Sequence, residues 1–115
     1  MGKDHIIVSS VLTKLGTCLV RAREHTSALD SFEDALEIRE KCNINDDDLE
    51  AADIFFNMGI IYCERKKFND SLDFYEKAIQ IRRELLGDDN IDVAQVCHVI
   101  YPHLYLHFGS LNMFD

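Results

Sequence analysis

At 115 residues the chain is long enough for one domain with a real core, burying roughly two-thirds of its unfolded surface. Twenty-one acidic against twelve basic residues leave a formal charge of −9. That balance argues against a nucleic-acid backbone as main partner, because phosphate contacts need clustered Lys and Arg and the longest basic run is Arg65-Lys66-Lys67. No apolar stretch approaches the ~20 residues that span a bilayer, and the N-terminus lacks a signal-peptide core, so the expectation is a soluble cytoplasmic protein with no membrane partner.

The first helix is predicted from about His5 to Arg23, with Val8, Val11, Leu12, Leu15, Leu19 and Val20 recurring at three- and four-residue steps. Gly16 interrupts that pattern at a cost of about 1 kcal/mol relative to Ala, which points to a close helix crossing. The second helix is predicted from about Thr26 to Lys41, with Ala28, Leu29, Phe32, Ala35, Leu36 and Ile38 on its apolar side. Small Ala28 and Ala35 flank bulky Phe32, a spacing that lets a neighbouring helix interlock.

Turn and capping residues from Asn43 to Asp48 then break the pattern, and Asp46, Asp47 and Asp48 suit the positive end of a following helix dipole. The third helix, about Asp48 to Arg65, uses Leu49, Ala52, Phe55, Met58, Gly59 and Tyr62. The fourth, about Asn69 to Leu86, uses Ser71, Leu72, Tyr75, Ala78, Ile79 and Ile81 and stops at Gly87. Asp88-Asp89-Asn90 offers an N-cap to a fifth helix near Ile91, which Pro102 ends or kinks around Val99 to Tyr101. The tail from His103 to Asp115 is rich in Leu, Tyr, Phe and Met.

A shift of 43 residues superposes Ala28-Leu29-Asp30-Ser31-Phe32-Glu33-Asp34-Ala35-Leu36-Glu37-Ile38-Arg39 on Ser71-Leu72-Asp73-Phe74-Tyr75-Glu76-Lys77-Ala78-Ile79-Gln80-Ile81-Arg82 and carries Gly16 onto Gly59. A period of this size marks a helical solenoid, in which one hairpin cannot bury its apolar face alone. Leu12, Leu15, Gly16, Leu19, Ala28, Phe32 and Ala35, then Phe55, Met58, Gly59, Tyr62, Ser71, Tyr75 and Ala78, occupy the signature slots of a tetratricopeptide repeat, which this chain resembles over residues about 9 to 97. The long period and the run from Ala78 to Ala94 resemble the kinesin-light-chain type of repeat, although association with kinesin does not follow from it.

The resemblance implies an all-α, right-handed α-solenoid of antiparallel hairpins: repeat one about 9–47, repeat two about 48–90, and a partial third repeat with tail about 91–115, all in a single domain of residues 1–115. The third repeat keeps Asp92-Val93-Ala94 and then departs at Cys97, Tyr101 and Pro102. Arg23 and Lys66 replace the family's turn glycine, which is tolerable if the turn stays right-handed.

In this family the first helix of each hairpin lines a concave groove. Helical geometry then assigns Ser10, Thr13, Lys14, Thr17, Val20 and Arg21 to it from repeat one, and Asp53, Phe56, Asn57, Ile60, Cys63 and Glu64 from repeat two. Lys14 and Arg21 suit a carboxylate, Phe56 and Ile60 an apolar anchor, and Asn57 a peptide backbone. Of the clamp residues that chaperone-binding relatives use, only Asn57 has a match, so that partner class is rejected. The expected function is a non-catalytic protein-interaction module. The alternative is a structural piece of a longer array, or an oligomer subunit self-associating through residues 99–114.

Catalytic and cofactor readings find little support. Cys18, Cys42, Cys63 and Cys97 form no CxxC pair, so reduced thiols are expected. His103 and His107 have the spacing of helical zinc ligands, but no Glu follows the first His. His98 beside Cys97 does not make a thiolate pair, because adjacent helix residues point apart. The Asp46–Asp48 and Asp88–Asp89 runs lack the alternating oxygen ligands of a calcium loop. No cofactor and no metal are expected.

Overall fold

The computed structural model describes residues 3–87, with side chains from His5 onward. They form four helices: α1 (Lys3–Arg21), α2 (His25–Lys41), α3 (Leu49–Glu64) and α4 (Phe68–Leu86). No strand occurs among the described residues. α1 packs on α2 and α3 on α4 as two hairpins, and α3 also packs against both α1 and α2, so the hairpins stack as a solenoid does. The predicted fifth helix and apolar tail, with Cys97, His98, His103 and His107, lie outside the described residues.

Each hairpin closes at a glycine. A Cβ on Gly16 would stand 2.5 Å from the Phe32 ring, and one on Gly59 would stand 2.5 Å from the Tyr75 ring. The period therefore repeats one packing solution, a helix backbone seated directly on an aromatic face. Phe32 and Tyr75 are both buried. In hairpin two Ser71 adds a hydroxyl that donates to the Gly59 carbonyl at 2.7 Å, fixing the same crossing from the other side. The main core joins Ala28, Leu29, Phe32 and Ala35 of hairpin one to Ala51, Ile54, Phe55, Met58 and Ile61 of α3. On the α4 side Phe74 stacks on Phe55 and Tyr62, and the Lys77 ammonium lies over the Phe55 and Phe74 rings at 5.4 and 5.5 Å.

The turns correct one expectation. Arg23, Asn43 and Lys66 all adopt φ near +60°, the left-handed region, so the right-handed turn under which Arg23 and Lys66 would replace glycine without cost is not the one formed. The cause is how each helix ends. The Glu24 amide donates to the Leu19 carbonyl and the Arg23 amide to Val20, and the same pair of bonds recurs as Ile44 to Arg39 with Asn43 to Glu40, and as Lys67 to Tyr62 with Lys66 to Cys63. This pairing is the Schellman cap, and its geometry needs a left-handed residue whatever its side chain.

A second correction concerns α1. Leu12, Leu19 and Val20 pack on the core, but Val8, Val11 and Leu15 of the same expected apolar face are exposed at 46%, 58% and 47%. Ser9, Thr13 and Gly16 are buried in their place. Leu49, expected in the core, is exposed too, while Ile54 and Ile61 are fully buried. The apolar period locates a face, but burial needs a neighbour, and none of the described elements packs on that side of α1.

Candidate functional site

The structure divides the expected groove residues by what each side chain touches. Lys14 and Arg21 are exposed, and Thr17 is half-buried with its hydroxyl donating to the Thr13 carbonyl at 3.0 Å. Phe56 and Ile60 are half-buried beside Tyr75 and Ile79, the Phe56 and Tyr75 rings lying 5.7 Å apart. Asp53 and Glu64 are exposed along the same helix. These side chains leave a mixed apolar and polar strip running across α1 and α3.

Four expected groove residues are turned inward instead. Thr13 is buried, donating to the Ser9 carbonyl and lying 3.0 Å from Glu50 Oε1. Asn57 is buried, its amide donating to the Asp53 carbonyl at 2.8 Å. Val20 packs against the core. Cys63 is buried, and burial pushes its thiol above the usual cysteine value despite its hydrogen bond with Ser71, so it is held in the inert protonated form. The causes differ: Thr13 faces Glu50 of the second hairpin, whereas Cys63 is met by Ser71 within its own hairpin.

What sequence reading missed is a polar junction between the hairpins. Glu50 accepts from Ser10 at 3.0 Å and lies 3.0 Å from the Thr13 hydroxyl and 3.5 Å from that of Ser9, and the oxygen that meets Ser10 is 3.9 Å from Arg39. Arg39 is 3% exposed, yet fully engaged: Nε meets Asp46 at 2.9 Å, and Nη2 meets Asp48 at 2.8 Å and the Asn45 carbonyl at 3.0 Å. Burial works against the charge on Asp48, but the Arg39 hydrogen bond, the Ala51 amide and the Arg39 charge outweigh it and hold the carboxyl below its ordinary range. Asp48 thus caps α3, accepting from Ala51 N at 2.9 Å, while also anchoring the linker. The signal was present in the sequence: Arg39 recurs as Arg82 at the repeat shift, and acids follow both.

Arg82 in hairpin two binds Asp53 across α3 and α4. Glu64 lies 2.7 Å from His25 Nε2 and 3.6 Å from Arg23, ties that join the end of α3 to the turn of hairpin one. Both groove carboxylates are therefore matched by cations of the chain itself. Lys14 and Arg21 have no ion pair among the described residues, so the strip is locally positive on an acidic protein. Among the described residues no cluster of His, Cys, Asp and Glu has the makings of a metal site, and no helix is long and apolar enough to cross a membrane.

Paired antiparallel helices, a glycine seated on an aromatic ring in each pair, and an open strip along the first helices define a helical-repeat interaction fold. Residues 52–92 match the family model described as Tetratricopeptide repeat. It is also 32% identical over 108 residues, 93% of its length, to a protein of Candida albicans named Clustered mitochondria protein homolog. The chain spans 8% of that relative's length.

Proposed function

We propose that this chain is a non-catalytic protein-interaction module that takes an acidic peptide or helix along the first helices of its hairpins. The observation that supports the reading is the charge accounting of the strip: Asp53 and Glu64 are paired with cations of the chain, while Lys14 and Arg21 have no ion pair among the described residues. Phe56 and Ile60 then receive an apolar side chain, and Asp53, Thr17 and Glu64 flank it with polar contacts. Thr13 and Asn57 support the helices from beneath. The 43-residue period favours the kinesin-light-chain type of repeat, and the absence of a membrane-crossing helix among the described residues is compatible with work in the cytoplasm. The relative's name adds the proposal that the setting concerns mitochondrial distribution.

Selection of a random peptide library against the purified chain tests this reading. Recovered peptides are expected to pair acidic residues with an apolar anchor. Lys14→Glu with Arg21→Glu is expected to weaken them by about tenfold or more, since two contacts change sign. Peptides without acidic residues, or binding unchanged by the double reversal, count against it. The alternative of self-association through residues 99–114 falls on residues outside those described, and removal of that segment with the solution mass followed tests it.

A further inference from the structure

Charge is divided unevenly between the helices. Every acidic residue except Asp4 lies from Glu24 onward, and the stretch from His5 to Arg23 holds none. On α1 the two cations without an ion pair among the described residues, Lys14 and Arg21, stand seven positions apart beside the exposed Val11, Leu15 and Cys18. On α2 the same spacing recurs with opposite sign: Glu33 and Glu40 are exposed, seven positions apart, and without an ion pair among the described residues. With Glu37 and Asp46 they wall an open cleft of about 460 Å³ whose apolar side chains, Leu36 and Ile44, are half-buried. Glu37 and Asp46 are already held, by Lys41 at 3.0 Å and Arg39 at 2.9 Å. Glu33 and Glu40 are the carboxylates of the cleft left to a ligand, and that ligand must carry two cations one i, i+7 step apart.

We propose that the outer face of α1 from a second copy of this chain lies along this cleft, parallel to α2, with Lys14 against Glu33 and Arg21 against Glu40. Each row rises about 10 Å, since seven helical positions advance 1.5 Å apiece, so both pairs form in one register. Helical geometry also sets the direction. Viewed from outside with the N-terminus below, the apolar stripe of α1 lies to the right of the Lys14–Arg21 row, and Leu36 lies to the left of the Glu33–Glu40 row. Face to face and parallel, cations therefore fall on carboxylates along one edge, and Leu15 and Cys18 fall on either side of Leu36 along the other. An antiparallel approach matches one edge and mismatches the second. Opposite charge in matching register is what selects this occupant, and it fixes orientation more than it adds affinity. The inference goes beyond the proposed function and has a consequence for it: Lys14 and Arg21 serve either the cleft of another copy or an acidic peptide, so the two compete.

One helix along one cleft is a small and weak interface, so the test reads solution mass by sedimentation of the full chain over about a thousandfold range of concentration. The weight-average mass of the wild type is expected to rise about twofold or more across the range. Two charge reversals at exposed positions, Lys14→Glu with Arg21→Glu on α1 and Glu33→Lys with Glu40→Lys on α2, are each expected to keep the helical signal and remove the rise. The α2 reversal makes the chain less acidic, so loss of association there runs against any general easing of repulsion. Mixed in equal amounts, the two variants are expected to regain association, because each α1 then meets a cleft of opposite charge. A wild-type monomer throughout overturns the proposal. Association of the α2 variant like that of the wild type overturns it too, since α1 then meets something other than the cleft, and so does a mixture that stays monomeric. The α2 variant keeps Lys14, Arg21, Phe56 and Ile60, so its capture of acidic peptides reads the proposed function separately.

Discussion

Arg23 and Lys66 each hold a left-handed backbone with a long side chain where glycine suits the cap better. A left-handed L-residue costs roughly 1–2 kcal/mol, and glycine gives back part of the difference through the freer unfolded chain. Arg23→Gly is weakened as a test by loss of the 3.6 Å contact with Glu64, whereas Lys66 makes no ion pair among the described residues. Lys66→Gly is therefore the cleaner substitution. Thermal unfolding is expected to show it stabilising by about 0.5–1 kcal/mol. Gly59→Ala runs the other way: better helix propensity gives about 1 kcal/mol, but the new methyl meets a buried Tyr75 ring, and overpacking costs about 1–3 kcal/mol. The same denaturation measurement is expected to show a net loss.

Asp48 carries the acid sensitivity of the junction. Its folded carboxyl titrates below the ordinary carboxylate range, so the unfolded chain takes up that proton first as pH falls. Its contribution is complete above the ordinary value, near pH 4, and is lost as pH falls through the depressed folded one. Asp48→Asn is expected to lower stability at neutral pH and to flatten that portion of the acid profile. Denaturant midpoints measured from pH 7 downward read both effects, and an unchanged profile would show that Arg39 does not hold this carboxylate in solution.

At the scale of elements, the junction between hairpins is polar at its rim and apolar at its centre. Ile54, Met58 and Ile61 supply the buried area, and Glu50 sets the register by facing three hydroxyls of α1, accepting from Ser10, while lying near the Arg39 guanidinium. Glu50→Ala is expected to destabilise the fold by about 1–3 kcal/mol, in the range of hydrogen bonds to a charged group. Hydrogen exchange is expected to show the loss concentrated where α1 meets α3, since the Gly16–Phe32 and Gly59–Tyr75 crossings lie within the hairpins. A uniform loss across all four helices would contradict that division.

The helices themselves were legible in the sequence because their apolar spacing and stops are local: each predicted boundary among α1 to α4 falls within two residues of the observed one. Gly16 and Gly59 were readable as close crossings for the same reason, a costly residue repeated in register. The exposure of Val8, Val11 and Leu15 was not, since a helical period reports an apolar face without reporting whether anything lies against it. Thr13 and Asn57 were placed on the groove by helical geometry within one hairpin, and both are buried in the stacked pair, Thr13 against Glu50 of the second hairpin. The Glu50 and Arg39 junction escaped because the recurrence of Arg39 as Arg82 marks a position without naming its partners.

At the scale of the whole molecule, the two stacked hairpins bring together a strip across α1 and α3 in which, among the described residues, Lys14 and Arg21 have no ion pair and Phe56 and Ile60 are half-buried. Hydrogen exchange of the full chain, with and without an acidic library-selected peptide at saturating concentration, tests the binding claim most directly. The account predicts new protection along residues 10–21 of α1 and 53–64 of α3, lost when Lys14 and Arg21 are both reversed to Glu. Protection confined to α2 and α4, or protection that survives the reversal, would contradict it.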